Sequence, residues 1–214
     1  MIDPMTTAPR PQRRSHESRR RLVAAATVEF AAHGFDGAST RAIAERAGMH
    51  QPQINYHFES KDALWRAVVD DLFGALQRAL ADIEVTSDDP RELLATPVRA
   101  FVRFAAEHPE LNRIMMQEST SDSERLEWVV ETHVRPVHRA MTSVWSLLAD
   151  AGLVAPVDGT IAYYLLVGAA SFIYVASPEL RRLTGMEPTP DLVEAHADAV
   201  VTMLFGLPTP PPDA

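Results

Sequence analysis

The 214-residue sequence contains no cysteine, which excludes disulfide bonds and thiolate chemistry. A chain without cysteine fits a reducing compartment, and we expect a cytoplasmic location. No apolar run approaches the roughly 18–20 residues that a membrane-spanning helix needs. Residues 1–21 also lack the apolar segment of a secretory signal. The sequence therefore predicts neither a membrane span nor a secretory leader.

Glycine is scarce as well, with nine residues, and there is no glycine-rich phosphate loop. The sequence has no Gly-x-Ser-x-Gly nucleophile motif and no His-Glu-x-x-His zinc motif. His133 and His138 are five residues apart, which turns them ~140° from each other on a helix, so they do not share a metal-binding face. We expect no enzyme activity, no cofactor and no metal site.

Lysine occurs once, at Lys61, and the net charge of −9 is unevenly distributed along the chain. Residues 1–61 carry nine basic and six acidic side chains, a net +3. The remaining residues carry 11 basic and 23 acidic side chains, a net −12. A basic N-terminal part attached to an acidic remainder predicts that only the former meets a polyanion. The alternative is a basic tail that is merely solvated.

Helical periodicity dominates what is present, and no period-2 strand pattern occurs. Leu22, Ala26 and Phe30 recur every four residues in a first helix that begins after Ser15 and ends at Gly34. Eight further helices are predicted, at about 39–47, 51–57, 61–83, 91–107, 110–118, 122–150, 158–176 and 190–205. The fold class is all-α with about nine helices. The predicted organisation is a disordered arm (1–14), a helix-turn-helix domain (15–60), a ligand-binding and dimerisation domain (61–207) and a disordered tail (208–214).

The segment from Thr40 to Phe58 carries the helix-turn-helix prediction. Ala44 and Ala47 are small enough for two short helices to cross closely. Gly48 can adopt the positive φ that the tight turn requires. Met49, Ile54 and Phe58 are spaced to bury against the preceding helices.

This arrangement leaves Gln51, Gln53, Asn55 and Tyr56 facing outward. Glutamine and asparagine can bond adenine edges in the major groove, each good pair contributing ~1–3 kcal/mol of discrimination. Pro52 is tolerated in the first turn of its helix because its missing N–H has no partner there. Other DNA contacts are expected from residues at helix ends, namely Thr40, His50, His57 and Lys61.

The residues Thr40, Ile43-Ala44, Ala47-Gly48-Met49, Tyr56-His57-Phe58, Lys61 and Leu64 resemble the signature of the tetracycline-repressor (TetR) family of regulators. The resemblance covers residues 15–70 closely. It implies phosphate contacts by Thr40, Tyr56, His57 and Lys61, and base contacts by Arg41, Gln51, Pro52, Gln53 and Asn55. His50 occupies a position where many members carry a small hydroxyl residue, and we include it in the interface. Arg10 to Arg21 could enter the minor groove as an arm, or attract phosphates only generically.

The C-terminal half resembles the regulatory half of the same family. Two of its helices resemble the dimerisation pair, with expected interface residues Ile161, Leu165, Gly168, Ala169, Phe172, Val193, Ala197, Val200, Val201 and Leu204. A ligand pocket is expected among large or polarizable residues of the middle helices: Phe101, Phe104, Met115, Met116, Trp128, Trp145, Tyr163 and Tyr164. Alternatively, the interface faces bury within the monomer and the pocket residues are ordinary core.

These features predict a homodimeric, ligand-responsive repressor that binds a palindromic double-stranded DNA operator and is released by a small apolar or aromatic effector. Within regulation, the alternatives are an activator and a repressor without an effector. From a different class, the alternative is a helical small-molecule-binding or scaffolding protein that does not bind DNA.

Overall fold

The computed structural model describes residues 10–83 and 90–206, and these residues form helices without a strand. The helices in chain order are α1 (Arg10–Gly37), α2 (Thr40–Arg46), α3 (Pro52–His57), α4 (Lys61–Ala81), α5 (Pro90–Glu107), α6 (Pro109–Glu118), α7 (Glu124–Val129), a π-helical turn (Val130–Val134), α8 (Arg135–Asp150), α9 (Gly159–Val175), α10 (Ser177–Thr184) and α11 (Pro190–Phe205). With the continuous stretch 124–150 counted once, the described part of the chain has ten helices. The all-α prediction is confirmed.

Two compact units divide the chain, residues 1–71 and 72–214, so that the division falls inside α4. The sequence analysis places the boundary before this helix, at residue 60. The difference arises because Leu64, Trp65 and Val68, in the first half of α4, are almost completely buried. They belong to the core of the first unit, which the first three helices alone do not complete.

The first helix of the first unit starts earlier than expected. Residues 10–14 are helical, whereas the sequence analysis assigns them to a disordered arm that ends before Ser15. Arginine and glutamine are good helix formers, and Pro11 lies in the first turn, where a proline is tolerated. The remainder of the predicted arm, residues 1–9, and the predicted tail, residues 208–214, lie outside the described residues.

The predicted periodicity of α1 is confirmed by its burial, since Leu22, Ala26 and Phe30 have no exposed surface. The backbone leaves helical geometry at Gly34, where φ is 69° and ψ is 179°, and then makes one further turn to Gly37. This is the glycine at which the sequence predicts the helix to end.

The core of the second unit lies between α5, α9 and α11. Its buried members are small or β-branched residues together with Tyr174, and they are Ala95, Val98, Val102, Ala105, Ala170, Tyr174, Ala197, Val200 and Val201. Two arginines of α5 bond acidic side chains of α11: Arg99 donates to Asp198 at 3.0 Å, and Arg103 donates to both carboxylate oxygens of Glu194. Apolar packing and ion pairs therefore both join α5 to α11.

Two helical features of the second unit differ from the expectation. The predicted helix 122–150 contains a π-helical turn just before Pro136, which lacks the N–H that a regular α-turn would use. Helix α10 is absent from the prediction because Pro178 resembles a helix breaker, although it lies in the first turn of α10, where it is tolerated. Among the described helices, none alone is long and apolar enough to cross a membrane, and only α9 and α10 together, bent by 66°, reach that length.

Candidate functional site

The turn between α2 and α3 has the geometry that the sequence predicts. The Ser39 hydroxyl accepts a hydrogen bond from the backbone N–H of Ala42 and caps the start of α2. Gly48 follows the end of α2 with φ of 65°, in the left-handed region that glycine adopts without steric cost. Ala44 and Ala47 are almost completely buried, as expected where two helices cross closely.

A contact that the sequence analysis missed stabilises this turn. The guanidinium of Arg21, on α1, donates a hydrogen bond to the carbonyl oxygen of Ala47 at the end of α2. A second α1 arginine, Arg19, lies with its guanidinium carbon 4.9 Å from the centre of the Phe58 ring. The sequence analysis treats both arginines as candidates for a DNA-binding arm, yet each also braces the helix-turn-helix from α1.

Helix α3 is anchored on one side and open on the other. Ile54 and Phe58 are 1% and 5% exposed, whereas Met49, predicted to bury with them, is only half-buried. The opposite side presents Pro52 in the first turn together with Gln51, Gln53, Asn55 and Tyr56, all exposed. Tyr56 is the extreme case, with 79% of its surface exposed. The predicted outward face is therefore present.

The three amides of this face differ in their local hydrogen bonds. The Gln51 side chain donates from Nε2 to the Thr40 hydroxyl at 3.1 Å, which links the starts of α3 and α2. The Gln53 side-chain oxygen accepts from the backbone N–H of His50 at 2.9 Å, as in one half of a capping box. The Asn55 side chain makes no hydrogen bond within the described chain and keeps both its donor and its acceptor available.

The cations beside α3 are held by intramolecular partners. Lys61 donates to the carbonyl oxygen of Asp36 at 3.4 Å, and its ammonium lies 4.8 Å from the centre of the Phe35 ring. Arg41 is exposed and pairs with Glu45 one turn along α2, at 3.0 Å. Exposed pairs of this kind are weak, so Arg41 can exchange its partner at little cost.

A buried carboxylate lies behind α2. Glu29 on α1 is 7% exposed and accepts from Nε of Arg46 at 3.1 Å. The His33 ring nitrogen is 3.8 Å from the same carboxylate. The Glu29–Arg46 pair ties the end of α2 to α1. It joins residues 17 apart in the chain, and no local pattern marks it in the sequence.

The second unit contains a cavity of about 850 Å³. Six of the eight predicted pocket residues line it: Phe101, Met115, Met116, Trp145, Tyr163 and Tyr164. Further lining residues that the sequence analysis did not select for the pocket come from α4, α6, α8, α9 and α11, among them Phe73, Leu111, Met141, Ser171 and Phe205. The cavity volume falls in the range of small-molecule sites. Burial raises the pKa of the Tyr163 hydroxyl above its usual value, and the nearby Tyr164 adds to the shift, so Tyr163 stays neutral at pH 7.

The other two predicted pocket residues lie elsewhere. Phe104 is 3% exposed, its ring contacts that of His108, and it lines a separate cleft of about 380 Å³. Trp128 is half-buried, and its ring makes an edge contact with that of His133 at 5.4 Å. Large residues at helical spacing do not reveal which side of the helix faces a cavity, and these two face other neighbours.

The predicted interface residues of α9 and α11 have different environments. On α9, Ile161, Leu165 and Phe172 are 56%, 54% and 53% exposed, and the small residues Gly168 and Ala169 between them are also exposed. On α11, the prediction is wrong for Ala197, Val200 and Val201, which are buried against α5 and α9, with Val193 and Leu204 packed on the same core. The outer side of α11 instead carries Ala195, Ala199 and Met203. An apolar stripe that packs inside the monomer has the same spacing as one that packs on a partner.

Matches to family models cover both units. Residues 22–68 match the model described as bacterial regulatory proteins of the tetR family. Residues 90–207, more than half of the chain, match the C-terminal domain of the HTH-type transcriptional dual regulator CecR. The chain belongs to the TetR family of transcriptional regulators. Membership confirms the expectation of a regulator rather than an enzyme.

Relatives and solved structures agree with the TetR assignment. The Bacillus subtilis regulator YdgC is 28% identical over 102 residues, 46% of this chain and 52% of YdgC. The transcriptional activator FasR of Mycolicibacterium smegmatis is 33% identical over 105 residues, 47% of this chain and 46% of FasR. The chain thus spans about half the length of these relatives. The crystal structure of AibR in complex with isovaleryl coenzyme A and operator DNA has a TM-score of 0.69 and 21% identity, covering 88% of this chain and 98% of AibR. At this identity the likeness shows the fold.

Proposed function

We propose that this TetR-family protein is a ligand-responsive repressor that binds a palindromic DNA operator as a homodimer in the cytoplasm. The observation that carries the proposal is the outward face of α3, where uncharged amide side chains and a tyrosine are presented on a helix anchored by Ile54 and Phe58. Donor- and acceptor-rich side chains on an anchored helix suit the base edges of the major groove. AibR, which shares the fold, has been crystallised with operator DNA.

Among the amides, Asn55 is the strongest candidate for reading a base. Its side chain has no intramolecular hydrogen bond to give up, whereas the side chains of Gln51 and Gln53 must break or share the bonds that they make within the protein. A bidentate contact to adenine contributes ~1–3 kcal/mol of discrimination. We therefore assign the largest share of direct readout to Asn55 and a partly structural role to Gln53.

Phosphate contacts are assigned to residues around this face. Tyr56 is 79% exposed and carries a hydroxyl that can donate to a phosphate oxygen. The Lys61 ammonium already donates to the Asp36 carbonyl oxygen at the C-terminal end of α1. From this position it would reach a phosphate of the DNA backbone. Thr40, His50 and His57 complete the set. Arg41 and Pro52 are assigned to base contacts, and Pro52 would make an apolar contact with a thymine methyl.

Dimerisation is assigned to the exposed side of α9, together with the outer side of α11. Two readout helices related by a two-fold axis would match half-sites about 34–36 Å apart. Leu165 lies in the middle of the exposed apolar stripe of α9 and is 54% exposed. Leu165→Glu is expected to give a monomer in sedimentation velocity, whereas Leu93→Glu, a control at an exposed leucine on α5, should leave the dimer intact. A dimeric Leu165→Glu protein would remove α9 from the interface.

The effector is assigned to the 850 Å³ cavity of the second unit. A ligand releases DNA only if it binds the non-binding state better than the DNA-binding state, and full release requires a preference of several kcal/mol.

One relative, FasR, is named as an activator, so the sign of regulation needs its own test. A reporter gene can be placed behind an operator that is identified by selection from random duplexes. Its expression should be repressed when the protein is present, and raised reporter output would identify an activator instead.

Selection from a pool of random duplexes tests the DNA-binding proposal. Purified protein should enrich an inverted repeat at modest ionic strength. Tyr56→Phe should weaken binding to all duplexes alike, with the order of sequence preference unchanged. Failure to enrich any sequence, with the protein folded and the cavity able to bind a small molecule, would favour the alternative of a helical small-molecule-binding protein that does not bind DNA.

A further inference from the structure

We infer that the cavity of the second unit selects an uncharged, largely apolar ligand that carries hydrogen-bond acceptors such as a ketone, ester or amide carbonyl. The inference builds on the proposed function, since it names the chemical class of the effector. It depends on two features of the cavity wall: the absence of formal charge and the presence of two buried donors that lack partners.

The wall is apolar and uncharged. Among the described residues that line the cavity, none is aspartate, glutamate, lysine, arginine or histidine. A charged group moved from water into such surroundings without a counter-ion loses its solvation and gains little in return. A ligand whose charge has to enter the cavity is therefore disfavoured, whichever sign it carries.

Two lining side chains have buried nitrogen donors without partners in the described chain. They are Nδ2 of Asn112, on α6, and Nε1 of Trp145, on α8. The residues themselves are 8% and 6% exposed, so water does not satisfy these groups easily. An unsatisfied buried donor is destabilising, and such groups in native proteins commonly mark a place where another molecule binds.

The neighbouring hydroxyl groups do not remove this requirement. Ser171 and Ser119, which also line the cavity, already donate to the carbonyl oxygens of Val167 and Met116. The side chains of Tyr163 and Tyr164 line it too, but their hydroxyls are not among the buried groups that lack a partner. Asn112 and Trp145 therefore stand out as side chains whose N–H groups need an acceptor. A carbonyl oxygen supplies one without adding charge, and the partial positive charge of the two N–H groups would oppose a cation even beside aromatic rings.

Shape-matched probes can test this chemistry without DNA. We would measure displacement of the neutral fluorescent dye N-phenyl-1-naphthylamine by octanophenone, octylbenzene, 4-heptylbenzoate and 4-heptylbenzylammonium. Octanophenone and octylbenzene differ only by exchange of a carbonyl for a methylene group. The ketone is expected to bind at least ~10-fold tighter than each of the other three, because it satisfies a donor that the hydrocarbon leaves unpaired.

Variants assign the selectivity to the two donors. Asn112→Leu and Trp145→Phe remove an N–H while keeping most of the side-chain volume, and at least one of them should bring the ketone-to-hydrocarbon ratio close to one. Trp128→Phe is the matched control, since Trp128 does not line the cavity, and its ratio should equal that of the unsubstituted protein. Should one of the two cavity variants fail to fold by circular dichroism, the other still provides the comparison.

Several outcomes would overturn the inference. These are equal affinities for ketone and hydrocarbon, a carboxylate or ammonium probe that binds as tightly as the ketone, no displacement by any of the four probes, or a ratio unchanged in both cavity variants. The proposed function can fail separately. Selective ketone binding combined with no binding to any duplex would support the ligand class and refute the proposed operator binding.

Discussion

Replacement of Gly48 by alanine should destabilise the first unit through two separable effects. The backbone at this position has φ of 65°, a conformation that costs an L-residue roughly 1–2 kcal/mol. An alanine also loses less conformational entropy on folding than glycine, which offsets part of this cost. The backbone contribution is therefore about 1 kcal/mol.

The second effect acts through Arg21. A Cβ atom built on Gly48 lies 2.8 Å from Nη2 of Arg21, the nitrogen that donates to the Ala47 carbonyl oxygen. The end of an arginine side chain can move aside, so the penalty is loss of that hydrogen bond rather than a rigid clash. Hydrogen bonds to charged groups contribute about 1.5–3 kcal/mol, and the exposed position of Arg21 lowers this to about 1 kcal/mol. Gly48→Ala should cost about 2 kcal/mol in total.

A double-mutant cycle measures the two effects separately. Urea unfolding would be followed by Trp65 fluorescence in a Trp128→Phe, Trp145→Phe background, because Trp65 is buried in the first unit. Gly48→Ala made in an Arg21→Ala background should cost only the backbone contribution, so the coupling free energy should be about 1 kcal/mol. Additive effects would show that alanine at position 48 leaves the Arg21 hydrogen bond undisturbed, and a neutral Gly48→Ala would refute the left-handed turn.

Three further results are expected. Ile54→Ala, which removes a 1% exposed anchor of α3, should lower the free energy of unfolding by ~2–5 kcal/mol in the same urea assay, and a loss under 1 kcal/mol would mean that α3 is not anchored there. Glu29→Gln should weaken the bond from Arg46 and cost ~1–3 kcal/mol, whereas an unchanged midpoint would contradict the buried pair. Burial lowers the pKa of His196 below 6.5, so the unfolded chain takes up its proton first and stability should fall as pH decreases from 7 toward 5. Thermal melting of His196→Gln should show a shallower dependence over that range, and an equal slope would remove this residue as the cause.

The tautomer of His196 explains why protonation of this residue should destabilise the fold. Its Nε2 lies 2.9 Å from the Ala169 carbonyl oxygen, which can only accept, so Nε2 carries the proton. In the neutral ring Nδ1 then accepts from the Tyr174 hydroxyl at 2.9 Å. Protonation of Nδ1 removes that acceptor, and burial together with the charge of Glu194 raises the pKa of Tyr174 to about 12, so the hydroxyl does not ionise in compensation.

Local signals were sufficient to predict much of the first unit. The four-residue spacing of Leu22, Ala26 and Phe30 reports burial directly, and a glycine between two short helices reports a turn of positive φ. The contacts of Arg21 and Glu29 could not be predicted in the same way. Each joins residues far apart in the chain, and only the packed structure brings them together.

The second unit shows the limit of periodicity more sharply. The apolar stripe of α11 has the same spacing whether it faces α5 in the same chain or a partner, so Val200 and Val201 could not be assigned to either from sequence. The same limit applies to Phe104 and Trp128, which have pocket-like side chains but face other neighbours. That the Asn112 side chain carries an unpaired donor could not be predicted either, because an unpaired donor is recognisable only when its surroundings are known.

The most direct test of the account compares the unsubstituted protein with Asn55→Ala on the selected duplex and on its single-base variants, by fluorescence anisotropy at fixed salt. We expect Asn55→Ala to lose ~5- to 100-fold in affinity for the selected duplex and to become indifferent to one base pair in each half-site, while Gln77→Ala, an exposed amide on α4, behaves like the parent. Equal loss on every duplex, or no loss on any, would contradict the claim that the outer face of α3 reads DNA sequence.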